Sequence, residues 1–337
     1  MKDHQGDPTG RGSGGIGYVF AERNLLSALS DQDRSRLFSA GRVRIAEAGE
    51  DVVRQGTRGD CLFVLTEGEL AVVRCLPGDE EQVLATAKPE MVLGEVAALG
   101  RGVRSATLRA TRHSVLREIG LRAFEAVALY GDGAGQRILR AVAVSLHERL
   151  TRTRRTATAL KIQPQASPSA DLELQWSRPD PEVISVLGLL PDFETMDLRD
   201  WEEILPLMSI AHVERGASLV LPEAPDSNEV IILLRGALSP WLGNTSGPDV
   251  TMPASGPGCF IEYAKVLGMP SEPHRWRARS ASRLLRLDAP LFSPGSAFAA
   301  HLLYALSRNL ATTLRRSTAL SVHFQMAWAH DRANGSN

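Results

Sequence analysis

Within the stretch Pro89 to Thr107 a glutamate and an arginine stand nine residues apart, Glu95 and Arg104, each beside small residues. Gly94 lets backbone approach a ligand closely. Arg104 carries a planar fork suited to phosphate oxygens, and the amides of Val96-Ala97 and Ser105-Ala106 can be aimed at an anion. Glu95 is an acceptor suited to a ribose hydroxyl, as acidic residues are in dinucleotide sites. The competing reading makes Glu95 and Arg104 a surface ion pair worth about 0 to 1 kcal/mol, in a barrel that keeps its fold without a ligand.

These residues need strands on either side to hold them. From Val43 to Ile119 short runs rich in Val, Leu and Thr alternate with turn signals at Gly49, Gly56 to Asp60, Glu67-Gly68 and Pro77 to Asp79, which predicts about eight short strands in a small antiparallel barrel or jelly roll. A helical segment from Asn24 to Phe38 precedes them, with Ser30-Asp31 as a cap signal inside it. After them, Leu139, Val142, Leu146 and Leu150 recur at +3, +4, +4, which predicts a helix with one apolar stripe from Ala134 to about Arg155.

The same programme then restarts. Phe63 to Gly68 aligns with Ile231 to Gly236 at an offset of 168, as do Arg109-Ala110 with Arg277-Ala278, and Ser114 to Ile119 with Ser282 to Leu287. Leu303, Leu306, Leu310 and Leu314 repeat the +3, +4, +4 stripe. The expected organisation is a disordered tail at 1–23, a module at 24–155, a Pro-rich linker at 156–182, a second module at 183–325 and a polar tail at 326–337. The fold class is mainly β with α: two tandem helix–barrel–helix modules. The two leucine stripes are expected to pair across a two-fold axis between chains or to pack on their own barrels.

The run Leu93-Gly94-Glu95-Val96-Ala97-Ala98-Leu99, followed by Arg104-Ser105-Ala106-Thr107, resembles the phosphate-binding cassette of cyclic nucleotide-binding domains, whose pattern is roughly F-G-E-L-A-L, a loop, then R-[AST]-A-T. Gly59 to Leu65 and Gly68 support the match upstream. The resemblance covers the first module, and the tandem arrangement resembles kinase regulatory subunits more than bacterial regulators of the catabolite-activator type. It implies that Glu95 holds a ribose 2′-hydroxyl and Arg104 a cyclic phosphate, with Gly94, Val96, Ala97, Ser105, Ala106 and Thr107 around them. It also implies that the helix after the barrel closes as a lid over the base near Arg149, Leu150 and Arg152. Ser105 offers a hydroxyl that could reach a guanine amino group and equally suits phosphate; the reading favours cAMP over cGMP.

The second module departs from this pattern. Aligned back from Arg277-Ala278, Glu272 stands where Arg104 does and Ile261 where Gly94 does, while Glu262 keeps the place of Glu95. A carboxylate repels a phosphate and Ile261 adds bulk, so this site is expected to be degenerate, with His274 or Arg275 as the candidates for rescuing an anion site.

Other signals point elsewhere only weakly. Gly12, Gly14, Gly17 and Val19 fit a kinase phosphate-loop spacing, yet no strand precedes them and the next lysine is Lys88. Arg149, Arg152, Arg154, Arg155 and Lys161 form a basic helix end that suits the helix dipole or an acidic partner. None of the eight histidines pairs at metal-ligand spacing and no nucleophile–base set is recognisable, so neither a metal nor enzyme activity is expected. A helix-turn-helix does not fit in the 23 residues after Leu314, and direct DNA binding is not expected.

Composition agrees with that modesty. The formal charge of −1 from 38 basic and 39 acidic residues gives no global field toward nucleic acid or anionic membrane. Of the basic residues only Lys2, Lys88, Lys161 and Lys265 are lysines, so an arginine must be judged by its neighbours. No apolar run approaches the roughly 18 to 20 residues of a membrane span, and Cys61, Cys75 and Cys259 are too scattered for a disulfide framework. A cytoplasmic location is expected. The reading is an intracellular cyclic nucleotide sensor that passes binding in the first module to the second or to a protein partner; the alternatives are a ligand-free scaffold and a transcription regulator acting through the basic helix end.

Overall fold

The computed structural model describes residues 25–76, 78, 80–130, 133–159, 174–220, 229–242, 250–251, 255–270 and 275–334. The Gly-rich start therefore lies outside the described residues. A 3-10 turn at Leu25–Ala28 leads to α1, Asp31–Ser39, whose first turn is capped by the Ser30 hydroxyl accepting the Asp33 amide at 3.2 Å. Eight strands follow among the described residues: β1 Arg42–Ala46, β2 Asp51–Val53, β3 Cys61–Glu67, β4 Leu70–Cys75, β5 Glu81–Ala87, β6 Val92–Leu93, β7 Thr107–Ala110 and β8 Ser114–Gly120. They form two antiparallel sheets, β1-β8-β3-β6 and β2-β7-β4-β5, closed on the apolar interior of Phe63, Leu65, Val72 and Leu108. This is the jelly roll that the alternation of short apolar runs and turns predicts. Two helices escaped that reading: α2, Glu95–Leu99, between β6 and β7, and α3, Leu121–Tyr130, after β8. The barrel closes with α4, Ala134–Ala159.

The second module repeats the first. Helices α5, Glu182–Gly188, and α6, Leu198–Ile204, precede β9 Met208–Val213, β10 Ser218–Val220, β11 Glu229–Arg235, β12 Leu238–Leu242, β13 Val250–Thr251, β14 Phe260–Glu262, β15 Arg275–Ala278 and β16 Ser282–Asp288. Their orders, β9-β16-β11-β14 and β10-β15-β12-β13, match those of the first barrel strand for strand. The last helix, α7, spans Ala299–Asn334 and so runs through most of the expected tail at 326–337. Part of the expected linker also belongs to this barrel. Ser177 bridges Ile210 of the edge strand β9 with hydrogen bonds of 2.9 and 2.8 Å, and Arg286 lies 4.7 Å over the Trp176 ring.

The leucine stripes of α4 and α7 pack against each other inside one chain. The same core takes in Leu62, Val64 and Ile119 of the first barrel and Val230, Ile232 and Leu285 of the second, so each stripe packs on its own barrel, as expected, and on its repeat, which was not expected. The Ser307 hydroxyl donates to the Leu139 carbonyl, at its own repeat position 168 residues away, at 3.5 Å, and Gln136 donates at 3.0 Å to the Ser296 carbonyl just before α7, so the helices run side by side in the same direction. Leu139, Leu146, Leu150, Leu303, Leu306, Leu310 and Leu314 are all buried in a core that continues through Phe124, Phe193 and Trp201 of both modules. The reason is chemical: each stripe is too apolar to leave in water, and its repeat is the nearest complementary surface.

Each helix also braces the opposite module. Arg140 of α4 donates to the carbonyls of Val266 and, at 2.8 Å, Phe292. His147 stacks edge-on against Tyr263, whose hydroxyl lies 3.2 Å from its Nδ1. Burial, with Arg154 as a lesser cause, pushes the imidazole pKa of His147 down to about 4. A folded-state pKa below the ordinary 6.5 means stability that is full above pH 6.5 and drains as pH falls toward 4. Denaturant melts at pH 7 and pH 5 should therefore show a larger loss for the wild type than for His147→Gln; equal losses would contradict this role.

Candidate functional site

Gly94 ends β6 with φ of +80° and opens α2, and a Cβ there would come within 2.4 Å of an Arg104 guanidinium nitrogen. The backbone can thus wrap an arginine only because this residue has no side chain. Arg104, 4% exposed, donates to the Gly94 carbonyl at 3.0 Å and the Cys61 carbonyl at 2.8 Å, with the Cys61 sulfur at 3.2 Å. Its guanidinium lies 5.6 Å over the Phe63 ring. Its Nε is buried with no hydrogen-bond partner, and among the described residues no carboxylate pairs with it. A buried guanidinium held by neutral carbonyls keeps its charge unbalanced.

Glu95 is 4% exposed and pairs with another partner. One of its oxygens accepts from Arg149 of α4, itself 7% exposed. A carboxylate has lone pairs beyond those that one guanidinium takes, so acceptor capacity remains. Glu95 and Arg104 therefore do not form the surface ion pair that the competing reading supposed. Both line one cavity that opens to solvent.

The cavity lining brings together Gly94, Glu95, Val96, Ala97, Arg104, Ser105, Ala106 and Arg149, with Val53, Val72, Val92, Leu93 and Leu108 as its apolar wall. Its charged groups are Glu95, Arg104 and Arg149, which leaves one positive charge in excess. Thr107 is not in the lining; its hydroxyl accepts the Gln55 amide at 3.0 Å and ties β7 to the loop after β2. Leu150 faces the shared core and Arg152 stands off the cavity, so of the three lid candidates Arg149 alone reaches it.

In the second barrel a bulky side chain stands where the first has Leu108 of its cavity wall. Trp276 stands at the repeat position of Leu108 and is 1% exposed, packed with Ile261, Leu219 and Leu284. Glu262 does not keep the place of Glu95. A register shift between Ile231 and Ile232 in the β11–β14 pairing absorbs a residue, so Tyr263 caps the 3-10 turn Ala264–Leu267 and Ala264 stands first in it. The Glu262 carboxylate turns onto the amides of Tyr263 and Ala264, at 3.0 and 3.3 Å. Glu272 and His274 lie outside the described residues, as does the Arg275 side chain. No cluster of three His, Cys, Asp or Glu suited to a metal occurs among the described residues, and none of their helices is long and apolar enough to cross a membrane.

Residues 43–129 match the cyclic nucleotide-binding domain family. An uncharacterized ABC transporter ATP-binding protein of Mycobacterium tuberculosis is 42% identical over 64 residues, 19% of this chain and 19% of that protein. A cAMP-dependent protein kinase regulatory subunit of Yarrowia lipolytica is 31% identical over 101 residues, 30% of this chain and 26% of that protein. The chain thus spans between a fifth and about a quarter of these relatives' lengths. Among solved structures, the regulatory domain of Toxoplasma gondii PKA with cAMP is similar at 18% identity over 80% of this chain and 85% of that one, with a TM-score of 0.29.

Proposed function

We propose that this chain, whose residues 43–129 form a cyclic nucleotide-binding domain, is a cyclic nucleotide sensor with one working site, in the first module. The observation that carries the reading is the unbalanced charge of the cavity: Arg104 is buried with no carboxylate partner beside a pair, Glu95 and Arg149, that neutralises itself. A cyclic phosphodiester brings the single negative charge that is missing. Arg104 takes its equatorial oxygens, the amides around Val96-Ala97 and Ser105-Ala106 serve the same group, and Glu95 accepts from the ribose hydroxyl. The ligand is cAMP in preference to cGMP. Guanine presents extra N–H donors, and the lining holds one hydroxyl, Ser105, and one carboxylate, Glu95, whose remaining acceptor capacity serves the ribose hydroxyl.

The output begins at Arg149. Because Glu95 bonds it, the position of α4 depends on what Glu95 is doing, and α4 is packed along α7 and braced on the second module. Ligand shifts that arrangement only by binding one position of α4 better than another. The second module receives the shift and passes it to a protein partner; its own barrel, plugged by Trp276, takes no nucleotide. Neither the scaffold nor the transcription reading accounts for the buried, unpaired Arg104.

A thermal-shift series tests the assignment. Ligand that binds only the folded state adds about 2.7 kcal/mol at one hundred times its Kd, so cAMP should raise the Tm by several degrees. Neither 5′-AMP nor inorganic phosphate should match it at equal concentration. A Tm that phosphate raises as far as cAMP does would reduce the site to a general anion pocket.

A further inference from the structure

The loop that presents Arg104 is gripped by the other module. After α2 the chain runs Gly100, Arg101, Gly102, Val103, and Arg101 adopts φ of +46°, a left-handed conformation that a residue with a side chain holds only under constraint. The constraint is the C-terminal cap of α2, where the Arg101 amide donates to the Ala98 carbonyl at 3.2 Å and the Gly102 amide to the Ala97 carbonyl at 2.9 Å; on this fixed turn Glu194 of the second module accepts from both terminal nitrogens of the Arg101 guanidinium. Glu194 is held in turn by Arg308 of α7, 4% exposed, which donates to it at 2.6 Å and to the Pro191 carbonyl at 2.9 Å. Asp192 flanks the same guanidinium at 3.6 Å and accepts from Asn309 at 3.3 Å. Burial pushes the Asp192 carboxyl up, and the Arg308 charge opposes that rise. A second α7 side chain lies on the loop as well, since a Cβ on Gly102 would fall within 1.5 Å of an Arg315 nitrogen.

From Arg101 to Arg104 the path is short and stiff. The Gly102 amide donates to the Ala97 carbonyl, and its carbonyl accepts the Gly59 amide, both at 2.9 Å; the Arg104 amide donates to the Thr57 carbonyl at 2.8 Å. A change at Arg101 is therefore delivered to the backbone that aims Arg104. The arrangement also has a counterpart in the repeat: Arg308 stands 168 residues after Arg140, which braces the turn at Val266 of the opposite module. Each long helix thus fixes the other module's loop.

We propose that Arg101, Glu194 and Arg308 form a clamp through which the second module sets the nucleotide affinity of the first, with these three as positioning residues that never touch the ligand. The proposal rests on the assignment of the first-module cavity to a cyclic nucleotide. It gives the second module a role that needs no ligand of its own.

The test is a double-mutant cycle read by calorimetry with cAMP on the full chain. Arg101→Gly suits the backbone and deletes the ion pair, and Glu194→Gln removes the charge between the two arginines. Each should weaken cAMP by about tenfold, within the usual span of coupling between sites. The double variant should be no weaker than the worse single one, because both changes break one network. Arg101→Lys, which keeps a charge for Glu194, should recover part of the loss, a rescue that simple destabilisation would not give. Wild-type binding with both single variants within twofold of it, or losses that multiply in the double variant, would overturn the clamp. A wild type that binds no cyclic nucleotide would instead remove the site assignment, and the clamp with it.

Discussion

Replacing Arg104 by alanine should weaken cAMP binding by about 100-fold or more, from loss of a desolvated charge pair worth about 3 kcal/mol. The magnitude follows from where the guanidinium sits. It is 4% exposed, its fixed partners are carbonyls and a ring face, and among the described residues no carboxylate pairs with it. Without it the cavity's remaining charges, Glu95 and Arg149, cancel, and a phosphodiester would be desolvated with nothing to receive it. The folded state should tolerate the change, since removing an unbalanced buried charge relieves as much as the lost hydrogen bonds cost. Calorimetry and a melt on the same sample separate the two effects: affinity falls while Tm holds. An alanine variant that binds within threefold of wild type would show that Arg104 is not the phosphate contact.

The second large effect concerns deletion of residues 183–337. Two separate modules at the ends of a linker would let the first survive alone, as the tandem repeat in the sequence implies. The packing of α4 along α7 says otherwise. Leu139, Val142, Leu146 and Leu150 are each 3% exposed or less in the shared core, and full burial of one such side chain contributes about 1.5 to 3 kcal/mol. Stripping the cover from four of them removes up to roughly 6 to 12 kcal/mol, as large as the whole stability of an ordinary domain. The truncated chain should be aggregated or molten, with strong binding of a hydrophobic dye and no cooperative melt. A truncated chain that melts cooperatively and binds cAMP within tenfold of the full one would mean that the shared core is dispensable.

What the sequence made legible was whatever is local or repeated. The offset of 168 carried the two barrels, because strand and turn signals lie in consecutive residues, and the register Val72–Leu108 against Pro240–Trp276 reproduces it in the sheets. The candidate site was legible as far as it is contiguous: Gly94, Glu95, Val96 and Ala97 meet Arg104, Ser105 and Ala106 around one cavity. Helix α2 escaped because five residues are too few to show a period, and its start depends on a glycine in a left-handed conformation. The place of Glu262 was misjudged because a bulge leaves no mark in composition; it shows only in the pairing of β14 with β11. The partner of the leucine stripes was out of reach for a different reason. A stripe says that something must cover it and is silent about whether the cover comes from another chain, its own barrel or its repeat. Trp276 was visible all along at the repeat position of Leu108, and a comparison of side-chain volumes across the offset would have flagged the bulk it adds to the barrel interior.

A calorimetric titration of cAMP into the intact wild-type chain decides whether the first-module cavity is a nucleotide site. Binding should saturate at one nucleotide per chain, taken by the cavity of Glu95, Arg104 and Arg149, with the Trp276 barrel silent. Saturation at two per chain, or no heat up to millimolar nucleotide, would contradict it.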